Sequence, residues 1–450
     1  MFELIDSLLV SIVRNWNLFH QGKTPTGSAR EVAHHQELPS EPPIPRTADK
    51  LQCPVDLPTS SLAAQVQIRG MTPVTFAQQA IPQLKPGQLL VQLSHSGVCG
   101  TDYATYSGSL GEADGVTGFV APHIGGHEGI GTVIAMCSPV EDLETLATSS
   151  NKRPPEMFQL GQRVGVRWMS QTCEKCTYCR LGRGELCASG RATSVHENGT
   201  FQQFCVVHSS CAVRIPSSVS AESAAAMMCA GSTAHTAVKQ LASLVPPTSK
   251  QKATVAIIGA GGSIGHLAIE FALLFGFEVI AVDKGTEKRD LCLGQGASRY
   301  FDAASASPEH IIDSIRELTA AEGYGGVEGV IVAAGGSIAP SNMGLEMLRP
   351  LGVLVLLGNP SPETHLSVHL PMALIKSIKI VSTLMSGRQD CEEALGHLAT
   401  GKIHPRLATR SFFDLDTVLR DVKAGNTLGK IILELPRSEV SMGDSGEGEL

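Results

Sequence analysis

The sequence has no excess of positive charge: 35 lysines and arginines face 43 aspartates and glutamates, giving a net charge of −8 and a pI near 6.0. That leaves no basic stripe to neutralise phosphates and removes the electrostatic case for nucleic-acid binding. Long hydrophobic runs are missing too; no stretch approaches the ~20 apolar residues that span a bilayer. The N-terminal segment MFELIDSLLVSIVRNWNLF is apolar at roughly helical spacing. Yet Glu3 and Asp6 stand where a secretory signal wants positive charge, and the segment is too acidic for a mitochondrial presequence. A short amphipathic helix is expected there, with a membrane-interface contact as an alternative role. The expected location is the cytoplasm. Charged residues are scarce, at 17% against 42% hydrophobic, so sizeable cores are expected and most of the chain is not disordered. No repeat of about 20–50 residues is present. What remains is the composition of a soluble enzyme, long enough at 450 residues for two domains.

Cysteine, by contrast, is plentiful, with twelve residues. Cys53, Cys137, Cys205, Cys211, Cys292 and Cys391 are scattered without framework spacing and are expected to be buried and reduced. Cys173, Cys176, Cys179 and Cys187 are crowded into CEKCTYCRLGRGELC with x2, x2 and x7 spacing. That spacing raises the question of what holds four thiols together in a reducing compartment. Cys99 in SGVCGTD, His127 in GGHEG and Cys229 in MCAGS are each unremarkable alone. Together, beside the quartet and a dinucleotide unit, they fit a two-cysteine, one-histidine catalytic zinc site with one position open to water or substrate.

Residues 21–59 are rich in Pro, Ser, Thr and Gln and are expected to be a linker, with globular composition from about Ala63. QLLVQLSH, GTVIAMC and RVGVRWM are expected strands, 138–160 a polar surface excursion, and the acidic stretch from 437 to 450 a disordered tail. Near residue 250 the texture changes. TVAIIGAGGSIGHLAIEFALLFGFEVIAVD predicts a buried strand, a glycine turn, a helix and a second strand closed by Asp283. GVEGVIVAAGG, a helix through MGLEML and GVLVLLG continue the alternation, which predicts a parallel, doubly wound sheet. Gly259, Gly261, Gly262 and Gly265 would let a backbone approach a pyrophosphate at a helix N-terminus. The spacing GAGGSIG differs by one residue from the strict form of that fingerprint. Asp283 would accept from the adenosine ribose diol and repel a 2′-phosphate, favouring NAD over NADP, with Lys284 a nearby base.

In family order, SGVCGTD, GGHEG, the cysteine quartet, GTFQQF, MCAG, GAGGSIG and SGRQD resemble the zinc-dependent medium-chain alcohol dehydrogenases, most closely the fungal and bacterial branch. The resemblance spans about residues 63–435. It implies an α/β protein with two domains: a GroES-like β-barrel catalytic domain over 60–229 and 376–436, and a Rossmann NAD-binding domain over 230–375. It implies two zinc ions per chain. Cys173, Cys176, Cys179 and Cys187 would close a structural tetrahedron with no room for substrate, a disulfide pair being the alternative. Cys99, His127 and Cys229 would hold a catalytic zinc, with Glu128 able to approach it, Asp102 fixing the tautomer of His127 and Thr101 passing on the alcohol proton. The metal would lower the alcohol's pKa, and the nicotinamide would take the hydride.

Two departures stand out: Gly100 occupies a position often basic, leaving Arg388 of SGRQD to reach the pyrophosphate, and Ala104 stands where relatives often place a relay histidine. A tryptophan common in ethanol-specialised relatives is matched by Leu110, while Trp168 keeps its place as an apolar wall. A pocket larger than ethanol requires is therefore expected, for primary alcohols and their aldehydes. The family implies a homodimer or homotetramer. Rival readings are a polyol dehydrogenase on the same scaffold and a non-catalytic, zinc-stabilised nucleotide-binding protein.

Overall fold

The structure is a computed structural model that describes residues 51–52, 57–66, 73–108, 122–137, 158–246, 252–320, 324–335, 337–358 and 365–437. The N-terminal segment, most of the linker, most of the 138–160 excursion, Leu110 and the acidic tail lie outside the described residues.

The short β-rich runs of the first half assemble into one mixed sheet, in the order Val213–Arg214, Arg163–Val166, Gly129–Cys137, Gln88–Val98, Lys430–Glu434 and Leu407–Ser411. Leu51–Gln52 and Phe204–His208 add to its flanks. Alternate side chains of Gln88–Val98 and Gly129–Cys137 enter a core with Phe201, Val164 and Leu433. The last strand, KIILE, comes from the far end of the chain and pairs antiparallel with Gln88–Val98, setting Ile431 opposite Val98. That pairing is what puts residue 430 near residue 99.

The second half forms the expected parallel sheet, in the order Arg299–Asp302, Glu278–Asp283, Thr254–Ile258, Val327–Val332, Leu348–Leu356 and Lys379–Ser382. Its central strands are mostly apolar because helices cover both faces. One face packs on Ser232–Leu244 and Gly265–Leu274, and the other on Pro308–Leu318 and Ala339–Met347. Ile257 and Val330, at 0% exposure, contribute about 1.5–3 kcal/mol each to these layers. The sixth strand, Lys379–Ser382, lies beyond the expected limit of 375 for this unit. The exposed, lysine-flanked run KSIKIVS resembles a surface segment, and only its pairing to Leu348–Leu356 makes it part of the sheet.

Candidate active site

Cys99, His127 and Trp168 are delivered by strand register. Gln88–Val98 and Gly129–Cys137 pair with Ser96 opposite Gly129, so Cys99 just past one strand and His127 just before the other share one end of the sheet. Gly129 also pairs with Val166, which sends Trp168 to the same end. Its ring stands edge-on to His127 with centroids 5.1 Å apart. Cys229 arrives on a π-helical turn, Met227–Gly231, wedged between the helices Ala221–Ala226 and Ser232–Leu244. Such turns are rare and occur mostly at functional sites. Ligand atoms of Cys99, His127, Glu128 and Cys229 all lie within 4.8 Å of one another.

Asp102 holds the cluster in shape. Its buried carboxylate accepts from the Cys99 backbone N–H (2.8 Å), the Gly126 N–H (3.2 Å) and His127 Nδ1 (2.9 Å). That bond fixes the imidazole with its proton on Nδ1 and leaves Nε2 for a metal. Burial works to lower the pKa of His127, but the charge and hydrogen bond of Asp102 raise it well above 6.5. The two thiols act as a pair: their mutual hydrogen bond holds Cys99 well below the ordinary thiol value and pushes Cys229 above it. Two thiols, an imidazole and a carboxylate are a donor set suited to zinc. Thr101 Oγ1 lies 3.7 Å from Cys99 Sγ, on the helix Gly100–Ser107.

Glu128 does not stand free beside the cluster. Its carboxylate, 0% exposed, is paired with Lys430, also 0% exposed, with Nζ 2.6 Å from Oε1. Lys430 donates in addition to the Val98 carbonyl at 2.9 Å. The pair is lodged against Gly97, where a Cβ would collide with Glu128 Oε2, so the glycine of SGVCG is there to make room. Burial pushes the Glu128 carboxyl up to about 7 against the pull of Lys430. Lys430 was not among the residues expected at the site. Its signal was a lysine opening the strand KIILE, directly ahead of three apolar residues.

The quartet is also brought together, with all four sulfurs within 4.8 Å of one another. Cys176 and Cys179 Sγ are 3.5 Å apart and Cys173 and Cys179 Sγ 4.0 Å. A tetrahedron with metal–sulfur bonds of about 2.3 Å sets its sulfurs about 3.8 Å apart, whereas a disulfide requires about 2.05 Å. Backbone N–H groups of Cys173, Cys176 and Cys179 point at neighbouring sulfurs at 3.4–3.5 Å. Backbone donors of Lys175 and Cys176 hold the Cys173 thiol down to about 6, while burial and the neighbouring thiols push Cys179 up to about 12. Of the scattered cysteines, Cys205, Cys211, Cys292 and Cys391 are buried thiols outside any disulfide, and Cys137 is half-buried. Cys53 lies outside the described residues.

At the glycine turn, Gly259 has φ of +82°, and a Cβ there would meet the backbone of Ala334. A Cβ on Gly265 would strike the Gly259 carbonyl. Gly262 has only that carbonyl nearby, at 3.4 Å, so its outer side is open to a ligand's phosphates. Asp283 Oδ2 accepts from the Gly261 N–H at 2.8 Å, and Lys288 Nζ lies 3.0 Å from Oδ1. The base facing Asp283 is thus Lys288 rather than Lys284, whose side chain is exposed. Arg388 bonds Glu392 (2.9 Å) and the Ser210 carbonyl (3.1 Å). The glycine turn is tied to the catalytic unit by the Gly429 N–H on the Gly261 carbonyl (3.0 Å) and Ser263 Oγ on the Gly429 carbonyl (3.1 Å).

Residues 85–217 match the alcohol dehydrogenase GroES-like domain and residues 263–400 the zinc-binding dehydrogenase family. The chain is 32% identical to alcohol dehydrogenase 1 of Emericella nidulans, over 83% of this chain and 97% of that protein. It is 30% identical to an alcohol dehydrogenase of Schizosaccharomyces pombe, over 85% and 99%. The crystal structure of an alcohol dehydrogenase from Aeropyrum pernix shares the fold with a TM-score of 0.71, at 23% identity over 83% of this chain and 99% of that one. Sequence relationship along nearly the whole catalytic and cofactor units, with two thiol–histidine and tetrathiol clusters in place, makes the chain a member of the zinc-binding medium-chain alcohol dehydrogenase family, an oxidoreductase.

Proposed function

We propose that the chain oxidises primary alcohols larger than ethanol, or reduces their aldehydes, with NAD as the preferred coenzyme. The observation that carries the reading is the convergence of Cys99, His127 and Cys229 beside Trp168. These three residues would hold the catalytic zinc, and Cys173, Cys176, Cys179 and Cys187 a structural one. When bound, the catalytic ion polarises the alcohol oxygen and the nicotinamide accepts the hydride. Asp102 keeps the His127 ring in its ligating tautomer. Lys430 holds the Glu128 carboxylate back from the thiols, so that one position stays available to substrate. Thr101 Oγ1 takes the alcohol proton while releasing its own to water or a ribose hydroxyl, because Ala104 offers no group to receive it. Trp168 closes one wall. Asp283, positioned by Gly261 and Lys288, supports the choice of NAD through the ribose diol, with Gly259, Gly261, Gly262 and Gly265 shaping the turn beneath the phosphates. Catalytic residues fall in about 60–229 and 383–436 and the cofactor unit in 230–382, the boundary following the sixth parallel strand.

The helix Leu370–Lys376 leaves Leu370, Leu374 and Ile375 62%, 68% and 83% exposed, next to the outermost strand of the parallel sheet. Apolar side chains at a sheet edge favour a self-complementary contact between two copies, which supports a homodimer as the smallest assembly. Among the described residues no helix is long and apolar enough to cross a membrane, and the cytoplasm is the proposed location. The test is kcat/KM along ethanol, butanol, hexanol and benzyl alcohol, followed by NADH absorbance. Each buried methylene should add up to ~0.8 kcal/mol until the pocket is full. Ethanol as the best of the four would refute the enlarged pocket, and a polyol preferred to all four would favour the sorbitol-type rival.

A further inference from the structure

A third group of ligating side chains converges between two helices. His235 and Lys239 lie one turn apart on Ser232–Leu244, and Asp390 and Glu393 one turn apart on Arg388–Ala399. Ligand atoms of His235, Asp390 and Glu393 are within 4.8 Å of one another. Lys239 Nζ stands between the carboxylates, 3.0 Å from Asp390 Oδ1 and 2.7 Å from Glu393 Oε2.

A lysine clamp accounts for the two acids but not for the histidine. His235 is 1% exposed, its Nε2 lies 3.7 Å from Glu393 Oε2, beyond hydrogen-bond length, and its Nδ1 has no partner. A buried imidazole in that state is left unsatisfied, which is unfavourable. Burial, the largest influence, holds its pKa below 6.5, so the ring is neutral and keeps a lone pair. Phe271 packs edge-on to the ring at 5.2 Å and restricts its rotation. On the facing helix, Gln389 Nε2 donates to Glu393 Oε1 at 3.1 Å, which orients the carboxylate and leaves Oε2 turned toward His235.

We propose that His235, Asp390 and Glu393 form a third metal site, which takes a divalent ion of the zinc class in exchange for the Lys239 ammonium. One imidazole nitrogen and two carboxylate oxygens are a donor set such ions accept. Bonds of about 2.0–2.2 Å would set the ligand atoms about 3.4 Å apart, close to the present separation of 3.7 Å between His235 Nε2 and Glu393 Oε2. The Lys239 side chain is 44% exposed and can retire into solvent. The site backs onto the active centre: the helix bearing His235 follows the π-turn of Cys229 without a break, and Cys391 Sγ reaches the Met227 carbonyl at 3.5 Å. An ion bound there clamps both helices against the turn that delivers a catalytic thiol.

The test is equilibrium dialysis of the native holoenzyme and its variants against buffered free Zn2+, on the order of 1–100 µM, with bound metal read by elemental analysis. The native protein is expected to bind one ion more per chain than His235→Ala or Glu393→Gln. Lys239→Ala, which lacks the competing ammonium, should bind it roughly tenfold more tightly, and Lys239→Arg no more tightly than the native chain. Because the readout is a difference from Glu393→Gln, it does not depend on how many ions the cysteine clusters hold. Equal metal content in native, Lys239→Ala and Glu393→Gln proteins across the range would overturn the proposal. So would an extra ion that persists in both His235→Ala and Glu393→Gln.

Discussion

Lys430→Met removes an ammonium while keeping much of the side chain's length and apolar stem. It leaves Glu128 as a buried charge without a partner. Removing one member of a buried ion pair costs about 3–5 kcal/mol. Three features place this case near the middle of that range or above it, at about 4 kcal/mol. Both side chains are 0% exposed, the Val98 carbonyl loses its donor as well, and the bare backbone of Gly97 offers no side chain to compensate. The carboxyl can escape by taking up a proton, since burial already pushes it up to about 7 with the lysine present, and it rises further without it. An acid whose folded pKa lies above its unfolded value loses stability as pH rises through the folded pKa. The defect should therefore be small near pH 5 and grow as pH rises through about 7. The assay is urea unfolding of native, Lys430→Met and Lys430→Met/Glu128→Gln proteins at pH 6 and pH 8.5, all loaded with zinc. The double variant should recover at least half of the loss, because the neutral amide no longer needs a countercharge. A single variant within about 1 kcal/mol of native at pH 8.5, or a double variant no better than the single, would refute the reasoning.

Gly97→Ala should press on the same pair, destabilising by about 1–3 kcal/mol and lowering kcat more than it raises KM; steady-state kinetics beside thermal melts would check both. Cys187→Ser should lose one zinc per chain and melt at lower temperature, while keeping the thiols and histidine of the catalytic cluster, because a structural ion supplies folding free energy directly; unchanged metal content would refute the four-thiol site. The native enzyme should favour NAD over NADP by at least roughly tenfold in kcat/KM, about 1.4 kcal/mol, and Asp283→Ala should erode that ratio. Equal use of both coenzymes by the native protein would show that Asp283 does not face the ribose.

The four-thiol cluster was legible because four cysteines in fifteen residues is a local spacing, whereas Cys99, His127 and Cys229, far apart in sequence, were legible only through the motifs that carry them. The parallel sheet was legible where strands are apolar on both faces. Lys379–Ser382 was not, since an edge strand is half exposed and carries no such run. Lys430 and Lys288 were missed for another reason. Each lies far from its partner in type of signal: Lys430 meets Glu128 only through pairing of strands 302 residues apart in sequence, and Lys288 needs the helix after Asp283 to curl back one turn. Arg388 was read from its motif alone; the structure gives it bonds to Glu392 and the Ser210 carbonyl.

The π-helical turn at Met227–Gly231 makes the placement of Cys229 in the thiol–histidine cluster depend on a count of residues as well as on their identity. An α-helix advances about 100° per residue, so deleting one residue from this turn would let 221–244 relax into a single regular helix and rotate everything downstream relative to Cys229. Regular helices are the more stable form, so selection for stability alone pulls toward that deletion. The turn is therefore a place where folding and function disagree. Its five residues keep a thiol within 4.8 Å of a histidine at the end of the sheet, at the expense of the helix they interrupt.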